Sequence, residues 1–446
     1  MRRLIAKKRQ DVIKSLTRHQ VESHTDTGSR HPNVLEYLEN KKWAPGVSEV
    51  QKRETPCFSM IKETFGNESF AMNAHNNTNG AQLIYALSLM KKGIRLGGSQ
   101  LHSFLGNNKA AGWYCNTVVI GGRKVSAPGF FRKEWDNDFS KLQAIFENYK
   151  LEDMDIIAGN VFHEMEMKSA IMTDRFGATN GLDLSVEKFG KWGMPPLRTE
   201  REFKISLNNL LKYCHFIQSQ DWLENLSLSE IVKRYSWQPL FIRSADIETA
   251  VINSLDSHAP YIGGFFSPAE ILAAACEAIA SYDISGTIPE KIKRRNVLGP
   301  LAAPNMFPQA IEVTNKAARE MAKKILAHIN THGCLPHNIK INGLIFGIGS
   351  TFHAVCELWL SIFRKKQIDR IILVKPGISL DEKFMRWLPW GGLKYETWPD
   401  NILTKPGLNT HYAFLYTRLQ SWTLKPAYLK NELENAGLEV RKPFIS

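Results

Sequence analysis

The sequence predicts an α/β fold, a mixed sheet flanked by helices with further regions at both ends. Three observations carry this. DFSKLQAIFENYK (138–150) sets Phe139, Leu142, Ile145 and Phe146 on one helical side and runs into two short segments around Gly159-Asn160 that read as a hairpin. WYCNTVVIGG (113–122) reads as short strands. Near the end, INGLIFGIGS, TFHAVCELWLSIFRKK and IDRIILVKPG follow one another as strand, helix and strand, an order that suggests parallel strands in an α/β layer.

The chain has 446 residues, and at roughly 100–200 residues per domain that predicts more than one. We place regions at 1–136 (basic, mixed α+β, a candidate DNA-recognition region), 137–330 (the core, with helical elaboration) and 331–446 (C-terminal, containing the β-α-β run). No apolar run approaches the ~18 residues of a membrane span. MRRLIAKKRQ lacks the apolar segment and cleavage site of a signal peptide. The six cysteines are dispersed without zinc-ligand or redox spacing, so a reducing compartment, the cytoplasm, is expected. Lys and Arg exceed Asp and Glu by 57 to 44, a formal +13, which favours a polyanionic partner.

Residues 1–20 form a basic, roughly amphipathic segment with Asp11 as its one acid. It suits a phosphate-gripping arm or a solvated terminal helix, and a mitochondrial targeting peptide matches parts of the pattern. Residues 21–48 are turn-rich, and GAQLIYALSLMKKG (80–93) reads as a helix. Residues 203–235 read as helical and WQPLFIR (237–243) as a strand. FSPAEILAAACEAIASYD (266–283) is predicted as a helix by its serine cap, first-position proline and first-turn glutamate. PEKIKRRNVLGP (289–300) reads as a basic loop, and another helix is expected at about 308–330.

The chemistry-bearing stretch is MDIIAGNVFHEMEMKSAIM (154–172) with the residues just before it. A two-residue turn at Gly159-Asn160 pairs Asp155 with Glu164 and Asp153 with Glu166, because directly opposed residues share a face. Asp153, Asp155, Glu164, Glu166 and Lys168 then project from one side, and Met154, His163, Met165 and Met167 from the other. Like charges opposite one another destabilise a sheet, and one lysine does not neutralise four acids. A divalent cation such as Mg²⁺, held by carboxylates and completed by water and phosphate oxygens, would supply the missing charge. A solvated acidic sheet face with Lys168 as counter-ion is the competing reading.

An aspartate, about ten residues, then Glu-x-Lys on the second strand of a hairpin resembles the PD-(D/E)xK nuclease superfamily. FHEMEMKSAIMTDRFGATNG is most similar to type II restriction endonucleases that carry a Glu-x-Lys-Ser strand followed by a polar DNA-facing loop. The resemblance covers residues 147–180. It implies a restriction-endonuclease-like fold and Mg²⁺-dependent cleavage of double-stranded DNA, with Asp155 and Glu166 as metal ligands and Lys168 as the catalytic lysine. It further implies an extra carboxylate from the preceding helix, with Glu147 the candidate, and a homodimer on a symmetric site. The motif's proline is absent, and Asp153, directly opposite Glu166 in this register, competes with Asp155 for the metal.

Arg, Lys, Asn and Thr suited to phosphate and base-edge contacts recur at 173–180, 188–203 and 289–295. Thr173, Arg175, Asn180, Lys188, Lys191, Lys293, Arg294 and Arg295 are therefore the candidate DNA contacts. No membrane partner and no small-molecule cofactor is expected. Two alternatives stay open: a non-catalytic nucleic-acid-binding or packaging protein, and a nucleotide-dependent transferase whose Gly347-Ile348-Gly349 turn cradles phosphate.

Overall fold

The computed structural model describes residues 10–17, 23–25, 43–66, 69, 71–74, 93–96, 109–120, 123–124, 135–152, 156–159, 168–169, 196–305, 309–365, 372–374 and 419–441. It is a mixed α/β structure. Its first half contains α1 (Gln10–Leu16), β1 (Ser23–Thr25), α2 (Trp43–Phe65), β2 (Ala71–Ala74), β3 (Gly93–Leu96), β4 (Ala111–Tyr114), β5 (Thr117–Ile120), β6 (Arg123–Lys124), α3 (Trp135–Leu151), β7 (Ala158–Gly159) and α4 (Glu200–Gln218). There follow α5 (Leu228–Arg234), β8 (Gln238–Pro239), β9 (Phe241–Arg243), α6 (Ser244–Ser257), α7 (Pro268–Ser285), β10 (Lys291–Lys293), β11 (Ile311–Val313) and α8 (Asn315–His332). The chain continues through β12 (Asn338–Ile341), β13 (Leu344–Gly347), α9 (Ile348–Phe363), β14 (Ile372–Val374), β15 (Leu424–Pro426), α10 (Lys430–Asn435) and β16 (Val440–Arg441).

The largest sheet has six strands in the order β1-β2-β3-β5-β4-β15. The pairs from β1 to β5 are parallel, and β4 then turns back against β5. That reversal needs only Cys115-Asn116 because Cys115 takes a left-handed φ of 53°, which suits a two-residue hairpin turn. β15 closes this end of the sheet antiparallel to β4, with Lys425 opposite Trp113. β4 and β5 are buried throughout, as continuous apolar strands covered on both faces should be.

A helical core lies beside this sheet, centred on α7. Ser267 caps it, Pro268 occupies its first turn, and Gly286 ends it at φ 71°. Every residue from Pro268 to Cys276 is buried, and its alanines let α6, α8 and α9 approach closely. On α8, Ala317, Ala318, Met321, Ala322, Ile325 and Ile329 line one face, as the 3.6-residue period requires. One apolar cluster runs from Ile242 to Leu438. The boundary expected at 330/331 falls inside α8, and that cluster continues on both sides of it. Among the described residues no helix is long and apolar enough to cross a membrane.

Several expectations change in detail. The 203–235 stretch divides into α4 and α5, and WQPLFIR divides into β8 and β9, which pair with β16 and β10 respectively. The basic loop at 289–300 contains β10. The larger correction concerns the C-terminal β-α-β run. INGLIFGIGS is not one strand, because Asn342 and Gly343 both take positive φ (49° and 83°) and fold β13 back on β12. Asn-Gly is the preferred pair for such a turn. β14 pairs antiparallel with β11 instead of lying parallel to β13. The 80–93 helix lies outside the described residues, except that Gly93 begins β3.

Candidate functional site

α3 forms where the helical spacing placed it. Phe139, Leu142 and Phe146 form its buried face and pack against Phe216 and Trp222, with Phe216 edge-on to both Phe139 and Phe146 at 5.6 Å. Glu147 lies on its exposed side. The strand expected next is present at Ala158–Gly159, but Gly159 is a ladder residue opposite Lys124 of β6, and the pairing is parallel. Asp153, Asp155, Glu164 and Glu166 lie outside the described residues, as do Thr173, Arg175, Asn180, Lys188 and Lys191.

Lys168 is described. Its carbonyl accepts a 2.8 Å hydrogen bond from the Arg198 N–H, and Ser169 bridges antiparallel to Leu197. The backbone at Lys168 is thus held against the segment leading into α4, whose cap is Thr199. The side chain is exposed, with its ammonium 4.9 Å from the centre of the Phe203 ring. Among the described residues no group of three or more His, Cys, Asp or Glu side chains is arranged to hold a metal ion.

The basic run at 293–295 separates by strand alternation. Lys293 and Arg295 are exposed; Arg295 is ion-paired with Glu277 and donates to Asn330 Oδ1 at 2.5 Å. Arg294 points the other way, and its side chain is only 4% exposed. It donates to Glu270 Oε1 at 2.6 Å, to Asn296 Oδ1 at 2.7 Å and to the Pro239 carbonyl at 2.8 Å. A guanidinium so engaged belongs to the interior and does not present itself to a phosphate, which corrects its place among the surface contacts.

Arg294 leads to a charged cluster that sequence reasoning missed. Glu270 is the first-turn glutamate of α7, and its Oε2 accepts from the Ser267 N–H at 2.8 Å in the capping box. The same carboxylate also accepts from Lys425 Nζ at 2.9 and 3.1 Å. Lys425 is 1% exposed, with its ammonium 5.6 Å from the centre of the Phe266 ring. Burial alone would raise the Glu270 carboxyl, but the Lys425 ammonium and the Arg294 guanidinium overcome it and hold the carboxyl below its ordinary range. Burial pushes Lys425 down to about 8 even though Glu270 opposes the shift, and Arg294 adds to the depression. Nearby, burial and then the Glu270 charge push the Cys115 thiol up to about 12. Asn296 extends the contacts to Asn116 in the β4–β5 turn, 2.6 Å away. The capping-box pattern at 267–270 was legible; the glutamate's second role was not, because Lys425 stands 155 residues away.

The Gly347 turn also has a structural account. A Cβ there would lie 2.0 Å from the Asn305 carbonyl oxygen, and the Ile348 N–H donates to the His337 carbonyl at 3.0 Å. Protein backbone therefore covers this helix start, where the phosphate-cradle reading needs an open one.

Comparisons with protein-family models, curated proteins and solved structures find no match for this chain.

Proposed function

We propose that this chain is a Mg²⁺-dependent endonuclease that hydrolyses double-stranded DNA at a specific sequence, with a restriction-endonuclease-like fold in its central region. The observation that carries the proposal is the order of parts around Lys168. Helix α3 with Glu147 comes first, then by chain order Asp155, strand β7, Glu164 and Glu166, and an exposed lysine whose backbone is held by the 197–198 segment. The formal charge of +13 suits the phosphate backbone.

Asp155 and Glu166 would hold the metal, with Asp153 and Glu147 as further carboxylates. Bound Mg²⁺ would supply Lewis-acid charge at the scissile phosphate. Lys168 would orient the attacking water and stabilise the charge that builds on the phosphate oxygens. The water gives up one proton as its oxygen bonds to phosphorus, the bond from phosphorus to the leaving sugar oxygen breaks, and that oxygen takes up a proton in its place. Recognition of a symmetric site would make the working form a homodimer.

The test is digestion of long duplex DNA by the purified protein with Mg²⁺, beside EDTA, Glu166→Ala and Lys168→Ala. Discrete fragments that disappear in all three controls support the nuclease. Intact DNA that wild type and variants retard equally on a gel overturns it in favour of a binding protein without cleavage.

A further inference from the structure

Next to β7 lies a cleft of about 590 Å³, within the ~300–1,000 Å³ of small-ligand sites. Its walls come from the end of α3, residues 156–158, the end of α4, residues 222–226, the end of α5 and Leu429. Aliphatic side chains and aromatic rings line it together, with Tyr149, Tyr213 and Trp222 among the rings. Polar groups accompany them: Lys150 from α3, Glu152 just beyond it, Asn225 from the 222–226 wall, and Arg234 from α5, which is paired with Glu224. Trp222 is positioned twice, by its indole N–H donating to Gln220 Oε1 at 3.2 Å and by its edge-on contact with Phe146 at 6.4 Å.

We infer that this cleft binds an unpaired nucleotide, base against the rings and phosphate toward Lys150. Every base has a π-face, so aromatic walls accept any of the four, and a nearby cation adds backbone attraction. An amide such as Asn225 both donates and accepts, which suits a base edge. Arg234 and Glu224 already satisfy one another, which leaves Lys150 as the cation for the phosphate. Ala158 belongs both to the cleft wall and to β7, so the cleft adjoins the strand that leads by chain order to Lys168. The inference rests on the nucleic-acid reading above and deepens it, since a strand bound for cleavage would place one displaced base here.

The test uses the full-length protein with a fluorescent single-stranded oligothymidine, a duplex of the same length, and thymidine monophosphate as competitor. Tyr149→Ala and Tyr213→Ala should each weaken single-strand binding by roughly tenfold. Tyr149→Phe should bind as wild type, which separates a ring requirement from loss of folding. Photocrosslinking of the wild type to an iodouracil-substituted strand, mapped by mass spectrometry, should label Tyr149, Tyr213 or Trp222. Competition by the monophosphate at equal nucleotide concentration would support the site with a free nucleotide as its ligand; failure to compete would support it with a strand. Crosslinks elsewhere together with unchanged binding by Tyr149→Ala would overturn the inference, as would absence of single-strand binding. The duplex arm distinguishes the two proposals: a cut duplex with an indifferent cleft removes this inference alone, whereas an uncut duplex with cleft crosslinks removes the nuclease alone.

Discussion

Lys425 and Glu270, 155 residues apart in sequence, meet at 2.9 Å in the interior, and each side chain is less than 5% exposed. β15 brings the lysine to the end of the six-stranded sheet, and α7 brings the glutamate to the centre of the helical core. Their contact ties the two halves of the structure together, with Arg294 as the second cation on the same carboxylate. With all three ionised, the cluster holds one buried positive charge in excess.

Breaking a buried ion pair from one side leaves the remaining charge unpaired. Glu270→Gln strands two cations and is expected to cost about 3–5 kcal/mol, measured by urea unfolding. Lys425→Met leaves Glu270 paired with Arg294 and is expected to change stability by about 1 kcal/mol or less, because an apolar side chain of similar length avoids the desolvation of an ammonium. Equal losses in the two variants would contradict this asymmetry.

The pH dependence follows from the directions of the shifts. Glu270 has a folded-state pKa below its unfolded value, so its contribution is present above the ordinary carboxylate range and is lost as pH falls through the folded value. Lys425 at about 8 lies below an ordinary lysine, so between pH 8 and the ordinary lysine range the unfolded chain holds a proton that the native state has released. Stability from this group therefore rises with pH across that window. Unfolding free energy of wild type minus that of Lys425→Met should rise from pH 8 to pH 10; a flat difference would mean that Lys425 stays charged.

Gly347 should not tolerate a side chain. Its added Cβ would meet backbone, the Asn305 carbonyl, at 2.0 Å, so the 304–305 segment must move. Gly347→Ala is expected to cost at least about 1–3 kcal/mol, the usual range for overpacking. Gly66→Ala makes an informative comparison, because no atom lies within 4 Å of its added Cβ and only its φ of 79° opposes the change.

The alternation at 293–295 makes neighbouring residues behave differently toward DNA. If the exposed Lys293 contacts a phosphate, Lys293→Ala should weaken binding alike for all sequences and reduce the salt slope by about 1. Arg294→Gln should lower the thermal midpoint and leave the salt slope unchanged, since the guanidinium is spent on Glu270, Asn296 and Pro239. Binding isotherms at several salt concentrations, beside melting curves, separate the two effects.

Local information was strong enough in the sequence to place several elements. Ser267, Pro268 and Glu270 announced the start of α7, and the spacing of Phe139, Leu142 and Phe146 announced α3, because caps and periodicity act within one or two helical turns. Asn342-Gly343 carried an equally local signal for the β12–β13 turn, which the apolar run around it obscured. The carboxylates from Asp153 to Glu166 and Lys168 drew attention because they lie close together in the chain, and the chemistry assigned to them is the proposal above. Strand partners were a different matter. β14 pairs with β11 and β15 with β4 through contacts that no local pattern encodes, since either strand would satisfy its backbone beside many others. For the same reason only the tertiary structure could turn Arg294 inward and set Lys425 against Glu270: a charged side chain goes inside only where a distant partner already waits, and which partner arrives is decided by how the whole chain packs.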